Sequence, residues 1–169
     1  MSELRVVGGD ITVLDVDVVV NAANSQLSGG GGVDGAVHRA GGPQIAVACR
    51  RLRMTTLPDG LPPGDAVATT AGRMRARFIV HTVGPVYSPT EDRSPTLRCA
   101  YTRSLHVAAD LGARSVAFPL LCSGAYGWPI PDAAHHAITA LRATTTTVQN
   151  IVIVAFSPEA HQALLRQHA

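Results

Sequence analysis

The chain has 169 residues, 46% of them hydrophobic and 15% charged, a length that suits one domain and a composition that excludes disorder throughout. Fourteen basic residues against twelve acidic ones give a net charge of +2, too weak a balance for a general nucleic-acid binder with its basic stripe. All fourteen are arginines, and without a lysine the chain can form no lysine Schiff base, hold no pyridoxal phosphate through one and build no G-x-x-x-x-G-K-[ST] phosphate loop. Aromatic residues are only 4%, so the core must come from Ala, Val, Leu and Ile. Three widely separated cysteines (Cys49, Cys99 and Cys122), an N-terminus without an apolar signal core and no apolar run near the ~18 residues of a membrane span predict a cytoplasmic protein with no membrane association.

In chain order, strands are expected at Leu4–Val7 and Val16–Val20, then helices at Val33–Ala40 and Gln44–Arg53. Strands follow at Ala66–Thr70 and Phe78–Thr82. A helix after Ser94, with Ser94 as N-cap and Pro95 at the first helical position, carries Leu97, Tyr101, Leu105, Ala108 and Leu111 at helical spacing and stops at Gly112. Strand Ser115–Leu120, helix Pro131–Ala143, strand Ile151–Phe156 and helix Pro158–His168 complete the set. The Val-Val-Val and Ile-Val-Ile-Val runs lack polar alternation, so both faces of those strands should be covered. Alternating strands and helices imply a three-layer α/β domain with a largely parallel sheet, whose ligands bind outside the carboxyl ends of the strands. That rule selects the loops after Val20, Leu121 and Phe156. The Pro/Gly-rich segment Thr55–Gly64 is too short to be more than a surface loop, and the whole of 1–169 reads as a single domain.

Two of those loops carry chemistry. The first runs from Asn21 to Gly35 and contains four consecutive glycines, Gly29 to Gly32, between a buried strand and a helix, where backbone N–H groups can wrap an anion. Gly30, Gly32 and Gly35 also satisfy G-x-G-x-x-G, but eight residues separate Val20 from Gly29 where a dinucleotide fold needs a tight turn, and Arg51 and Arg53 lie where its acid should be. Asp34 is the only carboxylate between Asp17 and Asp59. It has two readings: stabilising the helix N-terminus through the macrodipole, or orienting a water for reaction. The second loop, Pro119–Pro129, has small residues at Ser123, Gly124 and Ala125, with Tyr126 and Trp128 available to wall a pocket. Two such loops are the parts of a diphosphate clamp. Cys122 reads as a small apolar loop residue rather than a nucleophile. Adjacent His135 and His136 point about 100° apart on a helix and cannot share an ion, and no H-E-x-x-H or C-x-x-C occurs, so neither metal nor cofactor is expected. His81, inside a strand, reads as a hydrogen-bonded core residue.

Five segments in order, Gly9-Asp10-Ile11-Thr12, Val19-Val20-Asn21-Ala22-Ala23-Asn24, Gly29 through Arg39, Phe78 through Pro85, and Ser123 through Pro129, closely resemble the macrodomain family, in particular its MacroD-type branch of ADP-ribosyl hydrolases. The similarity runs from about Leu4 to Phe156. It implies a three-layer α/β/α sandwich on a mixed, largely parallel six-stranded sheet, with ADP-ribose along a cleft at the strand ends. On that resemblance Asp10 accepts from the adenine 6-amino group beside the Ile11 backbone, and Phe156 lies over adenine. Ser123, Gly124, Ala125 and Tyr126 hold the diphosphate, and Gly30, Gly31, Gly32 and Val33 close the other side around the distal ribose, with Ala22 among the binding positions. Asn24 matches the asparagine that binds that ribose, and Asp34 the aspartate associated with hydrolysis. The branch usually reads S-T-G where this chain has Cys122-Ser123-Gly124, and Tyr or Phe at Trp128; the family's zinc-containing branch has a Cys/His motif absent here. The implied function is a metal-independent hydrolase that removes mono-ADP-ribose from acidic side chains and deacetylates O-acetyl-ADP-ribose, with ADP-ribosylated proteins as partners. The competing expectations are a non-catalytic ADP-ribose reader and a hydrolase of ADP-ribosylated nucleic acid.

Overall fold

The computed structural model describes residues 2–169. Six strands, β1 (Glu3–Gly8), β2 (Val18–Ala22), β3 (Ala66–Thr70), β4 (Phe78–Thr82), β5 (Ser115–Pro119) and β6 (Asn150–Ala155), form one sheet in the order β1-β6-β5-β2-β4-β3. Every pairing is parallel except β3 with β4, so the sheet is mixed and largely parallel. Five helices cover it: α1 (Gly32–Gly41), α2 (Pro43–Met54), α3 (Ser94–Asp110), α4 (Ile130–Ala143) and α5 (Pro158–His168). Four of them, α2 to α5, have a proline in the first turn, where its missing N–H costs nothing and its fixed φ suits the helix. Among the described residues no helix is long and apolar enough to cross a membrane.

The unbroken apolar runs are strands with both faces covered. Val18 and Val20 of β2 enter the core under α3, α4 and α5, while Val19 enters the one under α1 and α2. In β6, Ile151 and Ile153 take the first face, Val152 and Val154 the second. Each such side chain contributes roughly 1.5–3 kcal/mol when fully buried, which fixes the register, because a one-residue slip would exchange the two faces.

Three expectations are corrected. β2 covers Val18–Ala22 rather than Val16–Val20, because Asp17 is held at a bend: its carbonyl accepts from the N–H groups of Arg77 and Phe78, and its carboxylate from that of Arg114. The ladder instead continues through Asn21 and Ala22, opposite His81 and Thr82 of β4. The N-cap of α3 is Arg93, not Ser94, whose hydroxyl donates to Asp92 Oδ1 at 2.6 Å. Trp128 is buried, donating from Nε1 to the Pro85 carbonyl at 2.9 Å with Tyr87 edge-on to its ring, so it braces the core instead of walling a pocket.

Candidate active site

All five parallel strands deliver their carboxyl ends to one edge of the sheet. There β1 leads to Asp10, β2 to Asn24, β4 to Gly84, β5 to the Leu120–Trp128 loop and β6 to Phe156. Asp10 begins a short 3₁₀ turn, Ile11–Val13, and its Oδ1 accepts from both the N–H (2.9 Å) and hydroxyl (2.7 Å) of Thr12. Those two bonds, the hydroxyl's first, hold its carboxyl below the usual carboxylate range. Ile11, the next residue, is buried, and Phe156 stands 93% exposed at the end of β6. A free aromatic face of that size on a strand end leaves a surface on which a flat ring could stack.

Asp34 lies in the first turn of α1 and is only 7% exposed. A carboxylate buried this far needs partners, and it has two. Asn21 Nδ2 donates to Asp34 Oδ1 at 2.8 Å, and His38 Nε2, one turn later on the same helix face, approaches the same oxygen at 3.4 Å. The other oxygen, Oδ2, faces Gly30, where even a methyl group would stand 3.7 Å from it. So one oxygen is fixed by the protein and the other looks toward the glycine loop. The geometry serves both readings of Asp34, the helix dipole and the oriented water.

The Gly29–Gly32 loop is pressed close to α1. A Cβ on Gly35 would stand 2.5 Å from the Gly30 carbonyl, so only glycine allows the helix to start here. Its first N–H groups have no partner within the helix, as at any helix N-terminus. Asn24 is half-buried and braces this loop: its Oδ1 accepts from Ser28 N–H at 3.1 Å and its Nδ2 donates to the Gly29 carbonyl at 3.0 Å.

Across the edge, Leu121 N–H donates to the Tyr101 hydroxyl at 2.9 Å, and Trp128 N–H closes the loop on the Cys122 carbonyl at 3.0 Å. Between these anchors the N–H groups of Cys122 to Tyr126 meet no protein acceptor among the described residues. Five consecutive free donors at the end of a buried strand suit an anion. Cys122 itself has φ 69°, a left-handed conformation that costs a non-glycine residue roughly 1 kcal/mol or more. Burial pushes its thiol up to about 12, so it is a neutral wedge at ordinary pH.

The structure therefore brings Asp10, Ile11, Asn24, Gly30 to Asp34, Ser123 to Tyr126 and Phe156 to one edge of the sheet, with Ala22 the last residue of β2 below them. It does not hydrogen-bond Asn24 to Asp34; the asparagine on Asp34 is Asn21, three residues earlier. Asn21 and His38 were missed as site residues. His38 carried a readable signal, an i, i+4 pair with Asp34 on a helix, whereas Asn21 was hidden by the misplaced end of β2. His81 is the hydrogen-bonded core histidine expected, and burial, with His38 a lesser cause, pushes its pKa down to about 3. Among the described residues no group of three or more His, Cys, Asp or Glu side chains is arranged to hold a metal ion.

Residues 20–137 match the family described as Macro domain. A relative from Streptomyces griseus, named for its macro domain, is 57% identical over 159 residues, 94% of this chain and 90% of its own length. A Cronobacter sakazakii protein named O-acetyl-ADP-ribose deacetylase is 52% identical over 132 residues, 78% of this chain and 72% of its own length. Among solved structures, a mutant macrodomain of Oceanobacillus iheyensis with ADPR superposes with a TM-score of 0.95 at 35% identity, covering 99% of this chain and 92% of that one.

Proposed function

The chain belongs to the macro domain family, and from that premise we propose that it is a hydrolase acting on ADP-ribose esters: it deacetylates O-acetyl-ADP-ribose and removes mono-ADP-ribose from glutamate and aspartate side chains. The observation that carries this reading is the buried Asp34, with Oδ1 tied to Asn21 and Oδ2 turned to the glycine loop. A reader module needs no buried carboxylate aimed at its pocket.

In this reading adenine lies on Phe156 beside Asp10 and Ile11. The two phosphate charges meet N–H groups, those of Ser123 to Tyr126 on one side and of Gly30 to Val33 on the other. Neutral donors bind the anion without a basic cluster, in keeping with the near-neutral chain. Asn24, bracing the loop from below, and Ala22 border the distal ribose. A water on Asp34 Oδ2 gives its proton to the carboxylate while its oxygen forms a bond to the ester carbonyl carbon and the carbonyl π pair moves onto its own oxygen. The carbonyl re-forms as the ester C–O bond breaks, and the released ribose oxygen takes the proton back. For an ester at C1″, attack at C1″ balances equally well, the departing carboxylate taking the bonding pair and then the proton from Asp34. Reaction in ¹⁸O-labelled water separates the two, since the label enters the acid in the first route and the ribose in the second.

No step requires a metal or cofactor. The whole of 1–169 acts as one macro domain in this reading, and three unpaired cysteines support a reducing, cytoplasmic setting. The test is release of ADP-ribose from a protein modified on glutamate, and of acetate from O-acetyl-ADP-ribose, by wild type and Asp34→Ala. Loss of a general base predicts a fall of about 10²–10⁴-fold in turnover with ADP-ribose binding retained in calorimetry. Unchanged turnover removes Asp34 from the mechanism. Tight binding with no turnover by wild type points to a reader, or to a modified nucleic-acid end as the substrate.

A further inference from the structure

Behind Asp34 a buried line of polar groups runs away from the ligand edge into the space between the sheet and α2. Asn21 Nδ2, besides donating to Asp34, lies 3.2 Å from His81 Nδ1, and His81 Nε2 lies 2.8 Å from Thr69 Oγ1. Asn21, His81 and Thr69 are all buried.

The protons on this line follow one consistent order from Asp34 outward. Asn21 Nδ2 donates to the carboxylate and faces His81 Nδ1, so Nδ1 accepts and Nε2 carries the ring proton. Toward His81 the Thr69 hydroxyl then accepts at 2.8 Å, and its one hydrogen goes to the Thr70 carbonyl at 3.1 Å. The Asn21 amide must turn its NH₂ toward both His81 and Asp34, and the cost is visible: Asn21 Oδ1 is buried with no partner among the described residues. An amide free to choose would not leave that oxygen empty. Turned over, it would set its oxygen 2.8 Å from the Asp34 carboxylate and oppose acceptor to acceptor. The other groups facing the ring do not undo this order. Cys49 Sγ is 3.8 Å from Nε2, well outside the 2.8 Å of Thr69, and burial pushes its thiol up to about 11. His38 touches the line at Asp34.

We propose that Thr69 and His81 are positioning residues that act through Asn21: by fixing the Nε2–H tautomer of His81 they hold the Asn21 NH₂ on Asp34 Oδ1 and leave Oδ2 for the reacting water. The proposal rests on the reading of Asp34 given above. With the proton on Nδ1 instead, Asn21 would have to present its oxygen to the ring, and Asp34 would lose its donor. The oriented base is then lost while the adenine contacts and the Ser123–Tyr126 phosphate contacts, on other loops, remain.

The test pairs Thr69→Val, which keeps the shape and removes the hydroxyl, with Thr69→Ser, which keeps the hydroxyl. The His81 ring is read by ¹⁵N–¹H correlation in labelled protein. Wild type and Thr69→Ser should show the Nε2–H tautomer and equal turnover. Thr69→Val should lose that tautomer as the dominant form, and kcat should fall about tenfold or more, as expected when a site histidine holds the wrong tautomer. KM and the calorimetric affinity for ADP-ribose should stay within twofold. An Nδ1–H ring in wild type overturns the proposal without any activity measurement, so it holds even if Thr69→Val fails to fold. So does a folded Thr69→Val with wild-type kcat, or an equal loss in Thr69→Ser. If Asp34→Ala keeps its turnover, the catalytic reading fails, while the wild-type spectrum still reports separately on the proton order.

Discussion

Gly84 and Cys122 lie on different loops, yet the shape of the second loop depends on both. A Cβ on Gly84 would stand 2.0 Å from Cys122 Sγ, against the roughly 3.5–4.0 Å that non-bonded heavy atoms need, so Gly84→Ala must drive the Cys122 sulfur, and the loop that carries it, away by about 1.5 Å at the sulfur. Overpacking of this kind costs about 1–3 kcal/mol. The same shift carries the free N–H groups of Ser123 to Tyr126 off an anion placed for them, and one lost charge-assisted hydrogen bond of about 1.5–3 kcal/mol weakens ADP-ribose binding by about tenfold or more. Cys122→Gly removes the sulfur and also relieves the φ of 69°. In that background the new methyl meets only ordinary contact, Leu97 Cδ1 at 3.7 Å, and the alanine should be neutral or stabilising by about 0.4–1 kcal/mol, since Gly84 has no positive φ. Urea unfolding of the four proteins closes a double-mutant cycle, and calorimetry reads binding on the same samples. A coupling of at least about 1 kcal/mol is expected. If Gly84→Ala costs the same with and without the sulfur, within about 0.5 kcal/mol, the loop is not held by this contact and the reasoning fails.

Phe156→Ala should leave stability within about 0.5 kcal/mol, because the ring is 93% exposed, yet weaken ADP-ribose binding by about tenfold through loss of a stacking surface; equal affinity for the two proteins in calorimetry would take adenine off this ring. The buried His81 gives stability a pH dependence of defined sign. Its folded pKa is pushed down to about 3 from 6.5, so the unfolded chain binds more protons between those values; the contribution is complete above pH 6.5 and is lost as pH falls toward 3. Unfolding free energy measured from pH 6.5 to pH 4 should fall by up to about 1.4 kcal/mol per unit from this one group. His81→Gln should flatten the slope, leaving the lesser contribution of His136, whose pKa burial, then Arg98, also lowers. A slope unchanged by His81→Gln would show that the ring is not buried neutral.

The layers of the fold were legible because they depend on local chemistry. Runs such as Val18-Val19-Val20 and Ile151-Val152-Ile153-Val154 are β-branched without polar alternation, which only a strand covered on both faces satisfies. Prolines in the first turns of α3, α4 and α5 and the glycines ahead of α1 marked the starts of helices, and Asp34 stood out as a lone carboxylate at a glycine-rich helix entry. The end of β2 was not legible, because an asparagine inside a strand reads as its terminus until its partner is known. That partner, His81, is 60 residues away, and the threonine that orders its proton is another 12 from it; the three meet only because β2, β4 and β3 lie side by side. The contact of Cys122 with Gly84 is of the same kind. Hydrogen bonds and close approaches across a sheet depend on strand order and register, which no local pattern encodes. The sequence by itself thus determined the layers of the fold and marked Asp34 as a lone carboxylate at a glycine-rich helix entry, and the tertiary structure decided which side chain holds Asp34 and from which direction.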